Sequence, residues 1–137
     1  MKYRNYFHKY IKPSKENNKY VAHLRMTDSP ESKKNLNLLT KIIKNKKDKI
    51  LILTDYKAIK NHLNNHDINI ESNFAKDDFL KLCSAKKELY CSNSTFSWWA
   101  SHFVSEKCKI YMPRELYEKY GYYGKSKVVS YENYPFS

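Results

Sequence analysis

Apolar residues in this chain gather into short runs separated by polar stretches, and the runs follow two different rhythms. Tyr20-Val21-Ala22-His23-Leu24 is an apolar run ending at Arg25, with Asp28, Ser29 and Pro30 marking a turn, which predicts a first strand and its loop. From Lys33 to Lys44 the rhythm changes: Leu36, Leu39 and Ile43 fall on one helical face with Leu38 and Ile42 beside it, and lysines occupy the remainder. Ile50-Leu51-Ile52-Leu53 is continuously apolar, as a strand covered on both faces would be, and ends at Thr54-Asp55. Asp55 is placed to cap a following helix lined by Ala58, Ile59 and Leu63. Ile68 and Ile70 predict a brief third strand, Asp77 and Asp78 open a helix through Phe79, Leu80 and Leu82, and Leu89-Tyr90-Cys91 reads as a buried strand. Phe96, Trp99, Ala100 and Phe103 then recur at helical spacing, and Lys109-Ile110-Tyr111-Met112 reads as a last strand ended by Pro113.

Strands alternating with helices predict an α/β fold, a Rossmann-like doubly wound layer in which a parallel sheet carries helices on both faces. Ligands in such sheets bind beyond the carboxyl ends of the strands. Arg25, Asp55 and the Ser92–Thr95 cluster all follow predicted strand ends, so three polar groups should converge on one rim. Residues 1–18 read as an amino-terminal arm and linker, and residues 19–137 as one domain with a tyrosine-rich tail. A length of 137 residues suits one domain with a real core.

Composition narrows the chemistry. No run approaches the ~20 apolar residues of a membrane helix, and Met1 to Tyr10 has no apolar signal segment, so the expected compartment is the cytoplasm. Three cysteines, Cys83, Cys91 and Cys108, lack pair spacing and predict buried free thiols. His62 and His66 lie four apart on a predicted helix without a third ligand, so no metal site is expected. The net charge of +12 points to an anionic partner, and much of the excess lies in Lys33, Lys34, Lys41, Lys44, Lys46, Lys47 and Lys49, where lysines also simply solvate a helix face. Seven of the thirteen tyrosines fall from Tyr111 onward, in a tail that either wraps the surface or offers rings for stacking on a base or sugar.

The densest signal is Ser92-Asn93-Ser94-Thr95-Phe96-Ser97-Trp98-Trp99-Ala100, which holds both tryptophans and sits at a strand-to-helix junction. The first N–H groups of that helix lack intrahelical partners, and the Ser92, Ser94 and Thr95 hydroxyls either cap them or join them in holding an anion. The chain's glycines are Gly121 and Gly124, which excludes both glycine-rich phosphate loops on residue type. A guanidinium at a strand end with a hydroxyl-rich helix start supplies bidentate charge and directed N–H donors, which together suffice for a diphosphate.

This nine-residue stretch resembles the sugar-nucleotide-binding motif of the alpha-1,2-fucosyltransferases, glycosyltransferase family 11. His23-Leu24-Arg25-Met26-Thr27-Asp28 is similar to the His-x-Arg-Arg-x-Asp motif of alpha-1,2- and alpha-1,6-fucosyltransferases, with Met26 in place of the second Arg. Ile52-Leu53-Thr54-Asp55 looks like the family strand ending in Ser/Thr-Asp-Asp, with Tyr56 replacing the last Asp, and Asp78-Phe79 resembles its Asp-Phe, with Asp77 as a competitor. The likeness spans roughly residues 20 to 113 and implies the donor half of a glycosyltransferase of the B architecture. It implies a donor site of His23, Arg25, Asp28, Asp55, Asp78, Ser92, Asn93, Ser94 and Thr95, with Arg25 catalytic at the diphosphate, His23 near the nucleoside and an acid at the guanine. GDP-fucose is then the donor substrate, with no cofactor and no metal, and a glycan is the acceptor.

Family enzymes carry an acceptor-binding half before the His-x-Arg motif, and about twenty residues precede it here. The expectation is donor binding with little or no fucosyl transfer unless a partner subunit supplies the acceptor domain. The competing reading is a basic nucleic-acid- or anion-binding module without enzymatic activity, resting on the charge and the interleaved tyrosines.

Overall fold

The computed structural model describes residues 18–26, 32–45, 49–56 and 68–131. Strand β1 (Tyr20–Leu24) is followed by helix α1 (Ser32–Asn45), strand β2 (Ile50–Thr54) and strand β3 (Ile68–Glu71). Then come α2 (Ala75–Cys83), β4 (Glu88–Tyr90), α3 (Thr95–Ser101), β5 (Lys109–Met112), α4 (Arg114–Tyr120) and β6 (Val128–Ser130). The six strands form one sheet in the order β3-β2-β1-β4-β5-β6, parallel throughout. This is the Rossmann-like, doubly wound arrangement, and its strand order reverses between β1 and β4.

Alternate residues of the same strands feed two cores, which is why the strands read as unbroken apolar runs. Val21, Leu51, Leu53, Leu89, Ile110 and Met112 face Leu82, Trp98, Ala100 and Leu116 from α2, α3 and α4. Tyr20, Ala22, Leu24, Ile50, Ile52, Tyr90 and Tyr111 face Leu39, Ile42 and Ile43 of α1. Each fully buried Ile or Leu among them contributes roughly 1.5–3 kcal/mol of apolar transfer. Tyr90 and Tyr111 stack with ring centroids 5.4 Å apart, a cross-strand aromatic pair on this second face.

Three sequence expectations change. Lys109–Met112 is not the last strand: Val128–Ser130 pairs beside it in register Ile110 to Val128. The tail from Tyr111 also contains α4, whose seven residues hold Leu116 in the core while Tyr120 stays exposed. On α3 the buried tryptophan is Trp98, whereas Trp99 is 42% exposed, because the helix ends at Ser101 and buries the Ser97, Trp98, Ala100 and Ser101 side. Phe103 is buried from the turn that follows. The helix expected around Ala58, Ile59 and Leu63, the pair His62 and His66, and residues 1–17 lie outside the described residues. No helix among the described residues is long and apolar enough to cross a membrane.

Candidate functional site

The site begins with the place where β1 and β4 part. Ser92, just past β4, accepts from the Arg25 backbone N–H at 3.0 Å and donates to the His23 carbonyl, so one hydroxyl stitches the two strand ends across the reversal point. A β-strand's hydrogen-bonding edge cannot continue where neighbouring strands diverge, and the serine supplies the missing partners. Next door, Asp55 at the end of β2 accepts from the Met26 N–H at 2.7 Å and lies 3.6 Å from Arg25 Nε. Arg25, Asp55 and Ser92 therefore do meet on one rim.

Beyond that rim lies an open cavity of about 290 Å³ lined by His23, Arg25, Thr54, Asp55, Asn73, Ala75, Asp78 and Phe96. Its size is at the lower end of the roughly 300–1,000 Å³ range of small-molecule sites. His23 leaves β1 toward the α2 and α3 face, with its ring centroid 5.2 Å from that of Phe96. Its Nδ1 is sealed from solvent and has no hydrogen-bond partner. Burial pushes the imidazole down from 6.5 to about 4, Asp55 opposing this and Arg25 adding to it, so the ring is neutral at pH 7. A neutral imidazole has one donor and one acceptor nitrogen, and a buried one without a partner is an unmet hydrogen bond.

Asp78 sits in the first turn of α2 and is buried, whereas Asp77 is exposed and does not line the cavity. Burial raises the Asp78 carboxyl above its ordinary value, while hydrogen bonds from Asn73 hold it down. Asn73 Nδ2 reaches Asp78 Oδ1 at 3.0 Å and Glu71 Oε1 at 3.1 Å, and Lys81 in turn pairs with Glu71. Asn73 and Phe96 are site residues that motif reading missed. Asn73 carried one usable signal, a polar residue just after the β3 strand end, where this fold places ligands.

The serine-rich stretch is occupied differently. Ser94 is the N-cap of α3, accepting from Phe96 N–H at 3.2 Å, and Ser97 donates to the Ser92 and Ser94 carbonyls at 3.2 Å each. Asn93 turns away to Glu115 on α4 at 3.2 Å. Thr95 is exposed at the first turn, with no hydrogen-bond partner for its hydroxyl among the described residues. The cavity thus gathers His23, Arg25, Asp55 and Asp78 directly, Ser92 braces it from behind, and Phe96 carries α3 to its wall. Asp28 lies outside the described residues.

The tail is fastened to this same helix. Trp98 Nε1 donates to the Gly121 carbonyl at 2.7 Å, and Tyr122 donates to the Ser101 carbonyl at 3.2 Å. His102, fully buried, meets the Trp98 carbonyl through Nδ1 at 2.8 Å and accepts from Tyr123 N–H through Nε2 at 3.2 Å, which fixes the Nδ1–H tautomer. Gly121 has φ +77°, and a Cβ there would fall 2.7 Å from the Tyr123 hydroxyl, so this turn requires glycine. Burial pushes the Cys83 and Cys108 thiols up to about 12 and raises Cys91 as well, leaving no thiolate for chemistry at neutral pH. Among the described residues, no three His, Cys, Asp or Glu side chains are grouped as a metal site. No protein-family model, curated protein or solved structure matches the chain.

Proposed function

We propose that this protein binds a GDP-sugar, with GDP-fucose as the donor, in the cavity beyond β1 and β2, and that its inherited chemistry is inverting, metal-independent fucosyl transfer to a glycan. The observation that carries the reading is the set of groups around that one cavity: the neutral His23 imidazole, the Arg25 guanidinium braced by Asp55, and the buried Asp78 carboxylate. A nucleoside diphosphate supplies what each requires, namely hydroxyls for a neutral imidazole, negative charge for a guanidinium and paired N–H groups for a carboxylate. The exposed Thr95 hydroxyl, next to Phe96 of the cavity wall, extends the same grip toward the phosphates. The resemblance of Ser92–Ala100 and His23–Asp28 to the fucosyltransferase motifs selects GDP-fucose among such ligands.

In transfer, Arg25 would neutralise the charge that develops on the departing diphosphate, the step where a preorganised contact is worth about 3 kcal/mol. Met26 offers no second cation there: its N–H is taken by Asp55 and its side chain packs against the core beneath α1. Donor binding without efficient turnover follows. Isothermal titration with GDP and GDP-fucose should show binding well below millimolar, weakened at least tenfold by Arg25→Ala. Heat-silent titrations at millimolar ligand would sink the reading. Rapid fucosyl transfer from labelled GDP-fucose to lactose or N-acetyllactosamine would overturn the expected weakness at Met26.

A further inference from the structure

Behind Asp78 stands a chain of polar contacts that the donor-site motifs do not contain. Lys81 pairs with Glu71, Glu71 Oε1 accepts from Asn73 Nδ2, and the same amide nitrogen reaches Asp78 Oδ1, so two protons of one carboxamide bridge two carboxylates. Asn69 Nδ2 donates to Glu71 Oε2 at 3.0 Å, which fixes the second oxygen of that carboxylate. The chain runs from β3 across the following loop to α2 and ends on the one buried acid in the cavity wall.

Resting on the GDP-sugar reading, we propose that Asn73 is the positioning residue that sets base specificity at this site, by holding the Asp78 carboxylate turned to accept paired N–H donors. Asn73 bonds the Asp78 carboxylate through its side chain and its backbone N–H, and a carboxylate has about four acceptor sites, so lone pairs remain for a ligand. Guanine presents two adjacent N–H donors on its Watson–Crick edge, whereas adenine presents an acceptor at the corresponding ring nitrogen. An ionised Asp78 therefore accepts from guanine and repels adenine, while a protonated Asp78 loses that discrimination. Hydrogen bonding to the charged form keeps a carboxyl ionised against the pull of burial. The other charges around Asp78 are Lys81 and Glu71 from α2 and β3, with His23, Arg25 and Asp55 across the cavity from β1 and β2.

The test is titration of GDP and ADP into the full chain from pH 8 downward through the ordinary carboxylate range, as far as the protein stays folded, for the wild type, Asn73→Ala and Glu71→Gln. Wild type should prefer GDP, with affinity falling as pH drops through the Asp78 transition. Asn73→Ala should narrow the GDP-to-ADP preference roughly tenfold and move the midpoint to higher pH. Glu71→Gln, which removes a like charge and releases Lys81, should move it to lower pH. Opposite shifts from two neighbours are not what loosened packing produces. Asn73 is exposed and in a loop, so its truncation leaves the core intact. Tight GDP binding with an unchanged pH profile and unchanged base preference in Asn73→Ala overturns this inference and leaves the GDP-sugar reading standing. Wild-type protein that binds no GDP overturns both.

Discussion

The carboxyl rim of the sheet has two halves that treat polar groups in opposite ways. Around β1, β2 and β3 the polar side chains face a cavity, and there stand a buried nitrogen without a partner and a carboxyl raised by burial. Around β4, β5 and β6 the buried polar groups are consumed internally, with Thr95 left exposed: Ser92 by β1, Ser94 by its own helix, Ser97 by two carbonyls, Trp98 by Gly121, and His102 by Trp98 and Tyr123. The stretch with the strongest likeness to a sugar-nucleotide motif lies in the second, self-satisfied half. Its chief contribution is to fix where the first half stands, and it reaches the cavity itself through Phe96. The stretch thus holds the frame while residues of the neighbouring strands line the cavity.

The largest expected effect falls on the self-satisfied half. Trp98→Ala removes a ring that packs on Trp99, His102 and Tyr120 and also leaves the Gly121 carbonyl without its donor. Urea denaturation should show a loss of about 3–5 kcal/mol, the range for emptying a large aromatic site. A loss below about 1 kcal/mol would mean that the tail is not anchored there, and the division between the halves would fail.

The cavity half should respond to pH instead. His23 titrates near 4 when folded and near 6.5 when unfolded, so between those values the unfolded chain binds more protons. Its contribution is intact above about pH 6.5 and is lost as pH falls toward 4, by roughly 3 kcal/mol in all. Other carboxyl groups titrate in the same window, so the informative quantity is the difference in slope between wild type and His23→Gln. Equal slopes would mean that the imidazole is solvated rather than buried.

How much of this was legible beforehand follows from which forces act locally. The strands Tyr20–Leu24, Ile50–Thr54 and Ile68–Glu71 and the helix Ser32–Asn45 could be read closely, because burial on both faces or on one writes itself into adjacent residues. Val128–Ser130 escaped because three residues beside lysine and tyrosine carry too little periodicity, and their pairing with β5 is a long-range fact. The convergence of Arg25, Asp55 and Ser92 was legible from strand ends alone. The partnership of Asn73 with Asp78 was not, since it depends on how the β3–α2 loop folds back. Asp78 over Asp77 was likewise undecidable from spacing, and the turn of α2 chose it.

The smallest effect separates the two roles of the serine-rich stretch. Ser94 adopts extended geometry before α3 and accepts from Phe96 N–H, which satisfies one of the donors that every helix start leaves bare. Ser94→Ala should therefore cost about 1 kcal/mol of stability, the ordinary worth of such a cap. Its hydroxyl accepts in the cap and keeps its proton to donate elsewhere. Thr95 provides the contrast: it is exposed, and Thr95→Val keeps its shape while removing the hydroxyl. If the frame and the contacts are divided as the bonds indicate, Ser94→Ala lowers the unfolding midpoint and leaves GDP affinity within about twofold, whereas Thr95→Val leaves stability within about 0.5 kcal/mol and weakens GDP several-fold. Both are read by paired urea and calorimetric titrations on the same protein. A Ser94→Ala variant of unchanged stability that binds GDP tenfold more weakly would reverse the assignment and make the serine a contact.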